Sequence, residues 1–308
     1  MMKKIISICL VLFSFGAFAQ QEPLFTQYYL NDVVLNPAIS GSKSYNPFII
    51  QTRQQWLGFE GAPLSTYVSY HGALNNRSAI GGYILFDKAY PSMQGSLNLN
   101  YAYHIPLDYD KVNLSFGLGA KVMYHNLDFN KGELPPGEDN AFSTRSYDKL
   151  LGDASSGIYL YGRNFYAGLS ASNLFQSSFN TTVSSSPHPN SEFRNYYTMG
   201  GYSFDIINKD WQLEPSFLLR KMEGFSAVTD LTCRILYLEN SWSGLGYRTD
   251  GTAVFSFGFG SGNMHISYSY DHTILDNIQQ YTYGTHEISI SYRIETMATK
   301  RHISFWGY

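Results

Sequence analysis

The stretch Thr252 to Asp271, TAVFSFGFGSGNMHISYSYD, constrains the chain more than any other. Phe255, Phe257 and Phe259 alternate with Ser256, Gly258 and Gly260, and after Ser261-Gly262-Asn263 the alternation resumes with Ile266, Tyr268 and Tyr270 against Ser267 and Ser269. A period of two puts each set on its own face of a strand, and the Gly/Asn break marks a hairpin turn. One face is aromatic and aliphatic; the other is small and polar rather than charged. A hairpin in water would show Lys and Glu on its open face, whereas a strand between lipid and a wet interior needs little charge on either.

Composition agrees. Charged residues make up 15% of the 308, against roughly 25% in average soluble domains, while aromatics reach 17%, with 26 Tyr and 27 Gly. A mean hydropathy of −0.21 excludes a bundle of membrane helices and suits a barrel whose strands turn half their side chains to a polar lumen. Met1–Ala19 reads as a signal peptide: basic Lys3-Lys4, a short apolar run and a small-x-small cleavage site at Ala17-Phe18-Ala19. Cys9 lies in that leader, so the mature chain keeps only Cys233 and forms no internal disulfide. Loss of Lys3 and Lys4 leaves 19 basic against 24 acidic residues, which offers nucleic acid no electrostatic footprint.

Alternation predicts fourteen strands: Phe48–Leu57, Ser65–Ala73, Ala79–Phe86, Ser92–Ile105, Val112–His125, Ala154–Tyr161, Phe165–Leu174, Phe193–Ile206, Trp211–Arg220, Ser226–Leu238, Ser241–Arg248, the two of the hairpin, and Thr285–Ile294. In the tenth, Leu231, Cys233, Ile235 and Tyr237 should point outward and Asp230, Thr232 and Arg234 inward. Fourteen is even, as single-chain outer-membrane barrels require. The connections after even strands are short, whereas the long ones, Asn126–Asp153, Phe175–Glu192 and His272–Gly284, all follow odd strands. Short periplasmic turns with longer outer loops are the habit of such barrels. The fold expected is therefore all-β, a transmembrane antiparallel barrel of about 14 strands in the outer membrane. Residues 20–47 are too broken by Asn36-Pro37, Gly41 and Asn46-Pro47 to be a strand and too apolar for a disordered tail. They are expected to plug the lumen or pack beneath it, with the barrel over 48–295 and a periplasmic tail over 296–308.

No chemistry is apparent. Gly258-Phe-Gly260-Ser-Gly262 leads into a strand, so it cannot form a phosphate-binding helix start. Asp128 to Glu133 misses the calcium-loop spacing, and neither His188 nor His286 has metal-ligand spacing. Gly-x-Ser-x-Gly is absent. No catalytic residue, metal or cofactor is expected, and the chain reads as a non-enzyme. The first strand is unusual in its inward face, Ile49, Gln51, Arg53 and Gln55, which suits either pinning the N-terminal segment or lining a pore.

Two stretches carry a resemblance. Gln21-Glu-Pro-Leu-Phe-Thr-Gln-Tyr28 followed by Leu35-Asn-Pro-Ala-Ile-Ser-Gly41, and Arg53-Gln-Gln-Trp-Leu-Gly58 with Gly61-Ala-Pro63, resemble signatures of the PorP/SprF family of type IX secretion-associated membrane proteins. Leu213-Glu-Pro-Ser-Phe-Leu-Leu219 and His286-Glu-Ile-Ser-Ile-Ser-Tyr-Arg293 are similar to its later strands. The resemblance points to Asn36, Pro37, Arg53, Gln54, Gln55, Trp56, Gly58, Gly61 and Pro63 as motif or lumen residues. It implies a Bacteroidota outer-membrane barrel that supports export or surface attachment of type IX substrates, such as adhesins or gliding-motility proteins, by holding their C-terminal domain, with other secretion components as possible partners. The competing reading is a passive channel for small solutes, lined by Lys121, Glu214, Arg234 and Arg293.

Overall fold

A computed structural model of the chain describes residues 23, 25–107, 111–128, 146–179, 190–207, 210–238, 240–274 and 280–295. Apart from a two-stranded ribbon of Ser178–Phe179 with Asn190–Ser191, their strands are β1 (Asn46–Gln54), β2 (Leu64–Ala73), β3 (Ser78–Ala89), β4 (Ser92–Pro106), β5 (Val112–Asp128), β6 (Ser146–Gly162) and β7 (Phe165–Ser172). They continue as β8 (Asn195–Tyr202, then Phe204–Ile207), β9 (Trp211–Met222), β10 (Val228–Tyr237), β11 (Ser241–Arg248), β12 (Thr252–Ser261), β13 (Met264–Thr273) and β14 (Thr285–Ile294). Every strand pairs antiparallel with its sequence neighbours, and β1 pairs with β14 from Asn46↔Ile294 to Gln54↔His286. The fourteen strands thus close into a ring without a free edge, which lets backbone hydrogen bonds be satisfied in hydrocarbon.

The two faces separate as alternation requires. On β4, Leu97, Leu99, Tyr101 and Tyr103 are exposed while Asn98, Asn100, Ala102 and His104 are buried inside. On β10, Leu231, Cys233, Ile235 and Tyr237 point out and Asp230 and Arg234 point in. Leu118 and Leu245 are 66% and 67% exposed, a disposition that only lipid makes favourable over a whole outer surface.

Connections after even strands are short (74–77, 107–111, 163–164, 208–210, 238–240, 262–263), and the longest all follow odd ones (129–145, 173–194, 274–284). Not every odd connection is long: 90–91 and 249–251 are tight turns. Boundaries differ most at β6, which starts at Ser146 instead of Ala154, so that β5 and β6 pair over 17 residues each, from Val112↔Gly162 to Asp128↔Ser146. About 9–11 tilted residues cross a bilayer, so the outer end of this hairpin extends beyond the membrane. There Asp148 and Lys149 sit in water, and the charge that breaks the membrane pattern does not break the strand. At the other deviations, β1 ends before Trp56 and β7 before Asn173, where φ turns positive at 48° and 55°. The leader, the 296–308 tail and residues 129–145 and 180–189 lie outside the described residues.

Residues 25–43 lie within the ring, nearly all buried, as irregular chain with two short 3-10 turns, Asp32–Val34 and Pro37–Ile39. The segment starts near the end that carries the long connections, where Thr26 meets Arg53 and Asp271. It finishes near the opposite end, where Gly41 meets His71, before Asn46 opens β1.

Candidate functional site: the inner segment and the two walls of the lumen

The first wall is charged. Strand parity turns Arg53 (β1), Glu287 (β14), Asp271 (β13), Arg248 (β11), Asp230 (β10) and Arg220 (β9) inward, each at most 8% exposed. Arg53 and Glu287 are directly opposite in the β1–β14 register. Arg53 Nη2 lies 2.8 Å from Asp271 Oδ2 and Nη1 3.2 Å from Glu287 Oε2. Arg248 Nε lies 2.6 Å from Asp230 Oδ1, and Arg220 pairs with the same carboxylate. Three guanidinium groups and three carboxylates therefore alternate and balance. A buried charge left without its partner is costly, so the set works as a unit.

Thr26 sits in the middle of it. Its N–H donates to Glu287 Oε2 at 2.8 Å and its hydroxyl to Asp271 Oδ2 at 2.6 Å, while Arg53 Nη1 donates to that hydroxyl at 2.7 Å and Arg248 Nη2 at 3.2 Å. Gln27 N donates to Glu287 Oε1 at 2.9 Å, and Gln51 Nε2 reaches the same oxygen at 2.8 Å. Deeper on this wall, Arg234 pairs with Glu214 at 2.7 Å, with its guanidinium 3.7 Å from the centre of the Tyr29 ring and 5.3 Å from that of Trp242. Tyr28 and Tyr29 hydroxyls reach Ser216 and Ser256 at 3.0 and 3.1 Å.

The second wall, β5 to β7, is made of missing side chains. A Cβ on Gly117 would lie 2.1 Å from Ala38 N, and one on Gly157 2.0 Å from Asn36 Oδ1. Only glycine lets the backbone come so close. Asn36 Nδ2 donates to the carbonyls of Ile158 and Leu169 at 3.0 and 3.3 Å, and its Oδ1 accepts from Ala38 N at 2.9 Å, which caps the second 3-10 turn with Pro37 at its start. Ser170 Oγ donates to Leu35 O at 2.6 Å. His104 Nε2 donates to Ser40 O at 2.9 Å, so its Nδ1 is the acceptor for the Tyr161 hydroxyl at 2.9 Å. Gly41 N donates to His71 Nδ1 at 3.0 Å.

The motif residues fall in two places. Asn36, Pro37 and Arg53 hold the inner segment. Gln54 to Pro63 instead shape the β1–β2 loop: Gln55 N donates to Pro63 O at 2.9 Å and Gln54 Nε2 to the same carbonyl at 3.2 Å. Trp56 N donates to Thr285 Oγ1 at 3.2 Å, and Leu57 exchanges backbone bonds with Gly284 and Tyr283, both at 2.8 Å. Gly58 and Gly61 take φ of 95° and 75°, and a Cβ on Gly58 would press on the Tyr283 ring at 2.8 Å. Of the two uses the first strand offered, Arg53 meets the inner segment: it bonds the Thr26 hydroxyl and two carboxylates that arrive on β13 and β14. Of the proposed pore-lining residues, Lys121 donates to Asn173 Oδ1, Glu214 and Arg234 pair, and Arg293 lies over the Tyr45 ring. Sequence reading missed Thr26, Asp271, Glu287 and the wall glycines. Strand parity could have found the acids; nothing local distinguishes Gly117 or Gly157 from any other strand glycine. Among the described residues no group of three His, Cys, Asp or Glu is placed to hold a metal ion.

A closed ring of fourteen strands, apolar outside and polar within, defines an integral outer-membrane β-barrel. The chain belongs to a particular family of them: the type IX secretion system membrane protein family PorP/SprF matches residues 17–292. It is therefore a type IX secretion-related barrel of the outer membrane. Among solved structures, the Pseudomonas putida toluene transporter TodX is similar over 89% of this chain and 95% of its own, at 10% identity and a TM-score of 0.51. The ΔS2S3 mutant of the TodX monoaromatic hydrocarbon channel is similar over 86% and 94%, at 9% identity and a TM-score of 0.50. At such identities the likeness is one of fold. No curated protein matches the sequence.

Proposed function

We propose that this barrel is a non-enzymatic holder for a secreted protein. On this reading the inner segment stops the lumen, and the end carrying the long connections receives the C-terminal domain of a type IX substrate, during export or for attachment at the surface. The observation that supports it is the bonding of residues 26–41 to both walls, through Thr26 and Gln27 on one side and Asn36 to Gly41 on the other.

The test is a pull-down of tagged barrel from detergent-solubilised outer membranes of cells that are exporting type IX substrates. Retention of a secreted protein through its C-terminal domain supports the reading, and recovery of the barrel alone overturns it. In planar bilayers the barrel should show negligible conductance; a large, steady conductance would move the assignment to a passive channel for small solutes.

A further inference from the structure

The ring is closed wherever each strand meets two neighbours, but β6 outruns β7. The pairing of β6 with β7 runs only from Tyr161↔Tyr166 to Ser156↔Ala171, whereas its pairing with β5 continues to Asp128↔Ser146. Residues 146–155 therefore have a strand on one side alone. The cause lies just after β7. There φ is 55° at Asn173 and 51° at Gln176, so the backbone turns away, and Ser178–Phe179 pairs with Asn190–Ser191 instead of with β6. Leu174 N donates to Ala154 O at 3.1 Å and Ser177 Oγ to Gly152 O at 2.5 Å, which covers the foot of the step. Beyond Gly152 no main-chain bond reaches that side of β6 among the described residues.

Strand geometry says which groups are left. In an antiparallel ladder, successive residues turn their N–H and C=O to opposite edges, and those of Ala154 and Gly152 point to the β7 side. Leu150 and Asp148, further along at the same alternation, point theirs the same way. Both stand beyond the membrane at the outer end, because the β5–β6 connection follows an odd strand. A bare edge is a template for another strand, and proteins ordinarily blunt it with charge or cover it. Here the nearest carboxylate is drawn off: Asp148 Oδ1 accepts from Tyr124 and Asn126 of β5, at 2.9 and 2.5 Å, on the opposite side. Leu150 is 68% exposed next to it. An edge binds by main chain, so its ligand is a peptide in extended form. Two copies upright in one membrane run their β6 strands the same way and cannot join these edges as an antiparallel ladder; a segment of a partner outside the membrane has no such restriction. Side chains add a preference. Lys149, half-buried on the inward face, has no acidic partner among the described residues, so an acidic residue suits the place opposite it.

We infer that the outer edge of β6, at Asp148 and Leu150, takes an added strand from the secreted partner, antiparallel to β6, with an acidic residue opposite Lys149 and an apolar one opposite Leu150. This rests on the reading that the barrel holds a partner at its outer end.

The experiment uses the full-length barrel in detergent micelles and the labelled peptide acetyl-Thr-Val-Glu-Val-Thr-amide, followed by fluorescence anisotropy. With its glutamate opposite Lys149, the peptide turns the N–H groups of both valines to β6 and that of the glutamate away. N-methylation of both valines should weaken binding about tenfold or more, and N-methylation of the glutamate less than about threefold. Leu150→Pro removes an N–H from the open side of an edge strand, where proline is tolerated, and should weaken the peptide about tenfold or more; heat-modifiable migration shows that the variant closes. Lys149→Glu should reverse the preference, so that the peptide with lysine in place of glutamate binds more tightly, and it carries the test if Leu150→Pro fails to close. No peptide binding, equal loss from the two N-methylations, or unchanged binding in both variants overturns the site. A wild-type barrel that is a dimer in micelles but a monomer as Leu150→Pro overturns it in favour of a second copy. The same variants then go through the pull-down. A C-terminal domain retained equally by wild type and Leu150→Pro overturns the edge as its dock while leaving the holder reading intact. A wild-type barrel that retains no domain overturns both.

Discussion

At Thr26 and Gln27 the inner segment is held by charged side chains reaching from β1, β11, β13 and β14, whereas at Asn36 to Ala38 it is held where side chains are missing from β5 and β6. The charged wall acts through hydrogen bonds of about 1.5–3 kcal/mol each, offset by the cost of burying six ions. Its contribution is direction: donors and acceptors fit one register of the segment and no other. The glycine wall adds little attraction of its own. It removes an obstacle, letting a backbone turn lie on strand backbone and exposing two strand carbonyls to the Asn36 amide. Specific binding of an irregular chain inside a barrel thus takes two devices, one that chooses the register and one that makes room.

The difference predicts unequal responses. The largest is expected at the glycine wall. Gly117→Val places a side chain on the backbone of residue 38, and the cost should exceed the roughly 1–3 kcal/mol of ordinary overpacking because backbone cannot rotate away. The barrel should still close, shown by heat-modifiable migration on a gel, while residues 26–41 become accessible to protease and conductance rises. A protected segment in this variant would break the argument for close approach.

Next comes Arg53→Met, which strands Glu287 in the interior and leaves Asp271 with only Arg248, whose Nη1 lies 3.4 Å away. A loss of about 3–5 kcal/mol is expected, read as a fall in the unfolding midpoint. Adding Glu287→Gln, which leaves Arg248 and Arg220 against Asp271 and Asp230, should recover part of that loss; a double variant no better than the single one would show that the six charges are not a unit.

Asn36→Ala removes one acceptor and two donated bonds, and is expected to cost about 1–3 kcal/mol. Hydrogen exchange should quicken at residues 36–41 and stay unchanged at Thr26 and Gln27. Equal quickening at both ends would mean that the two walls hold the segment cooperatively rather than separately.

Gly95→Ala is the smallest and sharpens the others. An added Cβ there meets nothing within 4 Å, so stability should stay within about 0.5 kcal/mol. A larger change would show that glycine matters to these strands for reasons other than the segment it faces.

Much of this was legible beforehand because a strand in a membrane wall is a local object. Its two environments repeat every two residues, so Leu231, Cys233, Ile235 and Tyr237 announce the lipid side, and Asp230 and Arg234 the lumen, within one strand. The parity of connection lengths follows from the same up-and-down path. The expected strands missed their bounds mainly at β6, where Ser146 to Asp153 stands outside the lipid and the membrane pattern no longer governs. Of the site, Asn36, Pro37 and Arg53 were marked, but the partners of Arg53 and the purpose of Asn36 were not.

The sequence by itself determined the alternation, the outward and inward faces, the even count of strands and the presence of an irregular apolar stretch ahead of them, since each depends on residues a few positions apart. Only the tertiary structure decided that Thr26 meets Glu287 across 261 residues and that Gly117 and Gly157 face the turn at Asn36. Closure of the ring brings those strands together, and no local period records which distant side chain, or which absent one, the inner chain will find there.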